Sequence, residues 1–449
     1  MTMGPEQSSD GYNNGDEASQ IKTRKDIGRE VLMQIKNEFD FVTDPEVVTM
    51  VNLVGRDLVK AAGGDPDYYH FFVIKENSIN AFAVPGGYIF IHDELIRNLN
   101  DVDGLAGVLA HEIAHIERDH LFKDSKKTGI ADLATLAGIL IAVNSGSGEM
   151  ATAVVAQAAN ISYKLKMSRE HEEDADLFAV KYLKRSEYNP SGLSDLFKAI
   201  SNFAKHNSSD LPLPYLSTHP GIIERNLIVE SLVKDIKFKK KNRYDNLRWE
   251  RIVTILNAKK TEERKNSADE PSQSDAIKAH IHYLRGLHAL KSMDYKEALS
   301  EYLEAVRLDD MNPLYHADLA DLYQKQDKIE LAREEALKSV SLSSEYATPY
   351  IVLGMIAKNE GSYEKAIEFF KKAEKLSLYN SYLQYQMAES YNALKMPAAE
   401  RFHLGRYYRY NLDTENALLQ FERGLKESDE EVYKKKLRDE IITLKREGV

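Results

Sequence analysis

The sequence predicts a mainly α-helical chain made of an α+β domain with a small antiparallel sheet, followed by an α-helical solenoid. Three observations indicate this division. Apolar residues recur at helical spacing along most of the 449 residues. One stretch, residues 68–91, is rich in aromatic and β-branched side chains, as strands are. The second half repeats itself every 34 residues, which is typical of stacked helix pairs.

The composition narrows the classes of function. Hydrophobic residues make up 43% of the chain and charged residues 29%, which is ordinary for globular proteins. Cysteine is absent, so a bound metal must be held by His, Asp or Glu. The net charge of −11 argues against nucleic-acid binding. Since the sequence contains no run of 18 apolar residues, we expect membrane contact to be peripheral at most.

The pattern predicts five segments. Residues 1–20 are polar and lack the features of a signal peptide, so we expect a disordered lead-in or a start from which a signal has been removed. Residues 21–258 form the first domain, and residues 259–275, which are polar, charged and free of aromatic side chains, form a linker. The repeats occupy residues 276–428, and residues 429–449 form a C-terminal helix.

In the first domain, helical spacing predicts one helix before Pro45 and a second helix after it, because proline starts a helix but interrupts its interior. Antiparallel strands follow, joined by the turn Pro85-Gly86-Gly87. Asp103 is the predicted N-cap of a helix that reaches His120. The later elements are two apolar helical pieces, two further helices and a proline-rich loop, at residues 129–161, 168–183, 190–205 and 211–221.

Small residues hold one register through the second half. They recur every 34 residues in two series, Ala298, Ala332, Ala366 and Gly286, Ala320, Gly354, Ala388. This pattern is typical of tetratricopeptide repeats, in which small residues let the two helices of each hairpin approach closely. We expect about four units, one of them truncated. A helical bundle of another kind is the simpler alternative.

The sequence HEIAH at residues 111–115 is the strongest local indication of a metal-binding catalytic site. On a helix, His111 and His115 lie on one face, so both imidazoles can bind one ion. Zinc suits this pair, and Glu112 would accept a proton from a zinc-bound water and deliver it to a leaving amine. The alternative is a surface helix with two solvated histidines, which the apolar residues before His111 argue against.

Zinc also needs a third ligand from the protein. The segment SREHEEDAD, residues 168–176, offers Glu172, with Asp176 one helical turn later. We predict Glu172 as the ligand and Asp176 as the acceptor of the outer N–H of a zinc histidine. His171 is a rival ligand, and a solvated acidic face is the simpler interpretation. The other histidines, including His120, lack ligand spacing and are interpreted as surface or core residues.

Four motifs in order carry a family resemblance: NAFAVPGGYIFI, HEIAH, SREHEEDAD and THPGIIER, the last beginning at Thr218. Together they resemble the HtpX and CAAX-prenyl-protease family of zinc metallopeptidases, the gluzincins. More closely, the chain is similar to the family's soluble BepA-type members, which join a zincin-like peptidase domain to a C-terminal tetratricopeptide array. The resemblance covers nearly the whole chain after residue 25. It implies one zinc ion at His111, His115 and Glu172, with Glu112 as general base.

The resemblance also implies roles for residues in THPGIIER. His219 would either donate a hydrogen bond to the oxyanion of the tetrahedral intermediate or occupy the open zinc position in a resting form. Arg225 would pair with an acidic group and brace this loop. The simpler interpretation of His219 is a loop histidine before a proline.

Two further elements would line the cleft. Asn80, Ala81, Phe82 and Ala83 would form an edge strand to which an extended peptide adds by backbone hydrogen bonds, although an ordinary hairpin is the alternative. The apolar hairpin at residues 129–161 would be a lid, a plug or a membrane-touching element, and it is too short to span a bilayer.

Two functions follow. The first is a zinc endopeptidase that cleaves unfolded or misassembled proteins in envelope quality control, with the repeats recruiting substrates or partners on their concave face. The second is a repeat-based chaperone or adaptor whose peptidase site is latent or self-inhibited. The intact Glu112 favours the first. The resemblance implies a bacterial periplasmic location, with the cytoplasm as the alternative.

Overall fold

The computed structural model describes residues 14–120, 169–206, 214–238, 246–257, 275–428 and 431–447. The helices of the first half are α1 (Asn14–Glu38), α2 (Pro45–Ala62), α3 (Asp93–Asn98), α4 (Val102–Glu117), α5 (Arg169–Arg185), α6 (Gly192–His206), α7 (Pro214–Thr218), α8 (Ile222–Val233) and α9 (Asn246–Asn257). A small sheet lies between α2 and α3, so the prediction of a mainly helical chain with a small sheet is confirmed. None of the helices in these ranges is long and apolar enough to cross a bilayer.

The sheet consists of β1 (His70–Ile74), β2 (Ala81–Val84) and β3 (Tyr88–His92), with β3 in the middle. The prediction of an antiparallel sheet is wrong in one respect: β2 and β3 form an antiparallel hairpin, but β1 runs parallel to β3. The short turn makes β2 and β3 neighbours, whereas the longer connection from β1 to β2 leaves space for β3 to enter between them. A Cβ atom on Gly87 (φ 89°) would lie 2.2 Å from the Tyr68 carbonyl oxygen, so the turn requires glycine there.

Helix α4 is the centre of the first domain. It packs against α2, α5, α6, β2 and β3, and its residues from Val102 to His115 are buried. Its N-cap is Asp101, whose side chain accepts hydrogen bonds from the Asp103 and Gly104 amides, so the prediction of Asp103 as the cap is wrong. The Asp103 carboxylate instead accepts from the Asn189 amide, which ties α4 to the connection between α5 and α6.

Two other sequence predictions need correction. Helix α1 begins at Asn14, so residues 14–20 are helical rather than a disordered lead-in, and no proline interrupts them. The proline-rich loop contains the short helix α7. The apolar hairpin at residues 129–161, residues 1–13 and the predicted linker at 259–275 lie outside the described residues, except that Asp275 is described and begins a helix.

The second half consists of helix pairs and a closing helix. Its helices are α10 (Asp275–Lys291), α11 (Tyr295–Leu308), α12 (Pro313–Lys325), α13 (Ile329–Leu342), α14 (Ala347–Asn359), α15 (Tyr363–Leu376), α16 (Ser381–Ala393), α17 (Pro397–Tyr410), α18 (Thr414–Glu427) and α19 (Glu431–Glu447). The small residues that define the period lie where helices cross. A Cβ atom on Gly286 would lie 2.4 Å from the Tyr302 ring, and one on Gly354 would lie 2.4 Å from Phe370. The 34-residue register therefore follows from close helix packing.

Candidate metal centre

The two histidines of HEIAH share one face of α4 and are almost completely buried, with 0% and 1% of their surface exposed. Their Nε2 atoms lie 3.0 Å apart. Each can present a lone pair from Nε2 when Nδ1 carries the proton. The pair therefore points two imidazole donors at one place inside the domain.

Helix α5 brings a carboxylate to the same place. Glu172 is fully buried, and its oxygens lie 3.6 Å from His111 Nε2 and 3.4 Å from His115 Nε2. His219, which follows α7, completes the group: its Nδ1 lies 3.0 Å from Glu172 Oε1 and 3.5 Å from His111 Nε2. One ligand atom from each of these four residues falls within 4.8 Å of all the others. His171, the rival ligand, instead stacks on the His120 ring at 4.4 Å.

The spacing of these donors fits a tetrahedral zinc ion. Four donors at about 2.0–2.1 Å from zinc are separated from one another by roughly 3.3–3.4 Å. Taking the nearer Glu172 oxygen for each histidine, five of the separations run from 3.0 to 3.6 Å, and one ligand atom from each residue lies within 4.8 Å of all the others. Two imidazoles, a carboxylate and a third imidazole are also a donor set that zinc accepts. These four residues could therefore hold a metal ion, with His219 as the fourth ligand.

Asp176 and Arg225 support the group from behind. Asp176 Oδ1 lies 2.9 Å from His111 Nδ1, and the Arg225 guanidinium donates two hydrogen bonds of 2.7 Å to the same carboxylate. Arg225 also donates to Glu172, so one buried cation compensates two buried carboxylates. Burial alone would raise the pKa of Asp176, but Arg225 and His111 lower it. Asp176 thus orients the His111 imidazole, and Arg225 helps to keep the Glu172 carboxylate charged, as a metal site requires.

The structure adds a second support that sequence reasoning missed. His115 Nδ1 lies 3.0 Å from His120 Nδ1, and His120 Nε2 lies 3.1 Å from Asp174 Oδ2. Asp174 also accepts a 2.7 Å hydrogen bond from Arg118. His120 is therefore neither a surface residue nor an ordinary core residue. The sequence holds one signal for it, because SREHEEDAD contains three acidic residues besides Glu172 and Asp176, and one of them, Asp174, lies midway between those two.

Glu112 lies beside the donors without joining them. Neither of its carboxylate oxygens has a hydrogen-bond partner within the described residues. Its Oε1 atom is 3.8 Å from His219 Nε2. Burial raises the pKa of Glu112, and the neighbouring His219 and His111 oppose that rise only in part. A buried carboxylate with both oxygens unused is suited to accept a proton from a bound molecule.

Tyr215 also belongs to this site, and sequence reasoning did not select it. Its ring stacks on the His219 ring at 4.6 Å, and its carbonyl oxygen accepts a hydrogen bond from the His219 amide. The tyrosine is fully buried. It therefore fixes the plane in which the His219 imidazole lies.

Strand β2 runs along the site at the edge of the sheet, where β3 is its one partner in the described part of the chain. Asn80, Ala81, Phe82 and Ala83 are at most 4% exposed, backbone included, so this edge is covered in the structure. The Ala83 amide is near enough to the Glu112 carboxylate to favour its charged form. This edge thus brings backbone groups close to the candidate general base.

Comparison with known proteins agrees with this geometry. Residues 48–232 match the model of peptidase family M48, and residues 347–380 match the tetratricopeptide repeat. The chain is therefore similar to a peptidase family over residues 48–232 and to a tetratricopeptide repeat further along.

Two curated relatives resemble the first domain. The chain is 29% identical over 204 residues to the beta-barrel assembly-enhancing protease of Escherichia coli (strain K12), which covers 43% of this chain and 42% of that protein. It is 25% identical over 191 residues to the mitochondrial metalloendopeptidase OMA1 of Schizosaccharomyces pombe, covering 42% and 54%. The chain thus matches about two fifths to one half of the length of these relatives.

One solved structure illustrates the comparison for the repeats. The crystal structure of MamA protein covers 38% of this chain and 88% of its own length, at 18% identity and a TM-score of 0.27. That similarity is too low to bear on function.

Proposed function

We propose that this protein is a zinc-dependent endopeptidase that hydrolyses peptide bonds in unfolded or misassembled proteins. The observation that carries the proposal is the buried group of His111, His115, Glu172 and His219 with the unpaired Glu112 carboxylate beside it. The M48 match and the names of both relatives, a protease and a metalloendopeptidase, support it.

Each residue then has a role in hydrolysis. Zinc held by His111, His115 and Glu172 would polarise the substrate carbonyl and make a water molecule acidic. Glu112 accepts the proton of the attacking water and later delivers it to the leaving amine. An extended substrate adds to the edge of β2 by backbone hydrogen bonds, which accounts for broad sequence tolerance. Asp176 and Arg225 hold the donors in place.

The position of His219 favours a resting form in which the site is closed. Its Nδ1 atom occupies the fourth corner of the donor group, where water must bind for hydrolysis. Its Nε2 atom faces the Glu112 carboxylate at 3.8 Å. This supports the second candidate, a repeat-based chaperone or adaptor with a self-inhibited peptidase site, as a state of the same protein. After a rotation of its side chain, His219 would donate to the carbonyl oxygen that gains charge.

The finer parts of the proposal rest on the family resemblance. They are a BepA-type relationship, envelope quality control in the bacterial periplasm and recruitment of proteins by the repeats. We also propose the division into a peptidase domain at residues 21–258 and a repeat domain at residues 276–428. The buried members of the two hydrophobic clusters of the repeat half all come from the repeats and the C-terminal helix, which supports this division, and Ile255 of α9 packs against both cores.

Removal of the metal tests the proposal directly. Purified protein is expected to contain about one zinc ion per chain and to cleave casein. A chelator such as 1,10-phenanthroline is expected to abolish cleavage, because the attacking water is no longer made acidic once zinc has been removed. Added zinc should restore cleavage. The measurement is metal analysis paired with cleavage on gels. Cleavage that persists in metal-free protein would contradict the proposal.

Replacing His219 by alanine tests the closed resting form. His219→Ala should raise the rate of casein cleavage, because the fourth corner then opens to water. The measurement is the initial rate at equal zinc content. His206→Ala is the matched control, since His206 is exposed on α6 and contacts the Asn202 carbonyl oxygen. A lower rate would assign His219 to stabilisation of the oxyanion, and an unchanged rate would leave it without a role.

A further inference from the structure

The first helices of successive repeats lie side by side, since α10 contacts α12, α12 contacts α14, and α14 contacts α16. Equivalent side chains on these helices therefore line one continuous face. Tyr382 and Tyr385 of the fourth repeat correspond to His280 and Tyr283 of the first repeat, three periods of 34 residues earlier. The two pairs can be compared directly.

In the first repeat, helix α9 covers this face. Arg251 of α9 donates hydrogen bonds to the Tyr283 hydroxyl and to the Asp318 carboxylate, and Glu250 contacts His280. The aliphatic side chains of Leu247 and Ile255 on α9 pack against the same repeat core. Tyr283, which also packs against the Tyr302 and Tyr315 rings, has no exposed surface. A helix with aliphatic side chains around a basic residue is therefore a natural occupant of this face.

In the fourth repeat, the equivalent side chains are exposed to solvent. Tyr382 is 48% exposed and Tyr385 is 40% exposed. The Tyr382 hydroxyl lies 3.5 Å from Met355 Sδ of the third repeat, and the Tyr385 ring lies 5.4 Å from the Tyr407 ring. We call Met355, Tyr382, Tyr385 and Tyr407 the tyrosine surface. It combines large apolar area with hydroxyl groups, a composition that marks protein-binding sites.

Two carboxylates lie beside the tyrosine surface, and each of them is paired with a lysine. Burial, with the nearby carboxylates of Asp321 and Glu389, raises the pKa of Tyr382. Lys358 and Lys325 bind these two carboxylates, at Glu389 and Asp321 respectively. An incoming arginine can compete for them with its planar fork and can also stack on the tyrosine rings.

We propose that the tyrosine surface is the docking site for a segment of a substrate polypeptide that presents aliphatic side chains around a basic residue, in the way that α9 covers the first repeat. This rests on the proposed peptidase function, because the docked chain is the one to be cleaved. The surface is continuous with the face that α9 already occupies, and we infer that the fourth repeat is where the array remains available to another protein.

The test uses the full chain with Glu112→Gln, so that a bound protein is not cut. Fluorescein-labelled β-casein, an unfolded protein, is the probe, and its binding is followed by anisotropy. Adding Tyr382→Ala and Tyr385→Ala should weaken binding by at least about tenfold, since exposed aromatic residues at such sites carry much of the affinity. Leu303→Ala with Leu337→Ala is the matched control, because these leucines are 45% and 52% exposed on the second helices of their repeats.

The control should bind within about twofold of the parent. Circular dichroism melting should show the same change for both double variants, because all four residues are 40–52% exposed. Equal binding by the tyrosine variant, or equal weakening in the control, would overturn the docking site. So would loss of self-association in sedimentation with β-casein binding unchanged, which would assign the surface to a second copy of this chain. Failure of the Glu112-intact protein to cleave casein would instead overturn the peptidase function.

Discussion

Glu112→Gln is expected to reduce casein cleavage by about 10²–10⁴-fold while leaving zinc content unchanged. The amide has the shape of the carboxylate but cannot accept the proton of the attacking water. The loss should not come from unfolding. Both Glu112 oxygens are buried without a partner, and a neutral amide costs less to bury than a carboxylate. The melting temperature should therefore be equal to or above that of the unchanged protein.

Glu173→Gln is the matched control for this prediction. It makes the same chemical change next to Glu172, the proposed ligand, but Glu173 is exposed on α5. Its cleavage rate and zinc content should equal those of the unchanged protein. The proposed mechanism fails if Glu112→Gln cleaves casein at the full rate with its zinc in place.

Arg251→Ala is expected to cost about 3–5 kcal/mol of stability, because it leaves a buried carboxylate without its cation. Arg251 links the two halves of the chain. It donates to Glu46 of α2 in the first domain and to Tyr283 and Asp318 in the repeats. Asp318 is 2% exposed, and burial already raises its pKa although Arg251 opposes the rise. The measurement is the urea concentration at the midpoint of the unfolding transition in which the two halves of the chain come apart.

The stability lost in Arg251→Ala should depend on pH in a defined direction. Without Arg251, the folded form of the variant should bind a proton at Asp318 more readily than its unfolded form does. Stability relative to the unchanged protein should then fall as the pH rises above the unfolded pKa of Asp, about 3.9, and recover as it is lowered towards that value. If the stability of the variant instead rose relative to the unchanged protein as the pH increased, Asp318 would not be the group left unpaired.

Arg248→Ala is the control on the same helix. Arg248 lies 3.4 Å from Glu345, whose side chain is 75% exposed, so water can replace the interaction. We expect a loss of less than about 1 kcal/mol. Equal losses for the two arginine variants would contradict the role assigned to Arg251.

The sequence predicted much of the candidate site because helical spacing is local. His111 and His115 had to share a face once α4 formed, and Glu172 with Asp176 had to share a face of α5. The residues assigned as ligands, support and general base do come together in the structure. Their roles, and those of the β2 residues, remain predictions for the experiments above.

The sequence did not predict His120, Asp174 or Tyr215, because their partners are set by how separate elements pack. His120 follows the end of α4, where Asp119 has a φ of 59°, so no helical spacing relates it to His115. Asp174 reaches it from α5, and Tyr215 reaches His219 from α7. The parallel pairing of β1 with β3 was missed for the same reason, since strand order is not recorded in the alternation of side chains.

The sequence by itself determined the helical periods, the 34-residue register of the repeats and the residue types able to bind a metal. These depend on spacing along one element, which the backbone geometry fixes. Only the tertiary structure decided that His219 reaches the fourth corner of the donor group, that Arg251 joins the two halves, and that Tyr283 is covered while Tyr385 is exposed. Such contacts depend on which surfaces meet, and residues at the same repeat position therefore differ in exposure although their local sequence pattern is the same.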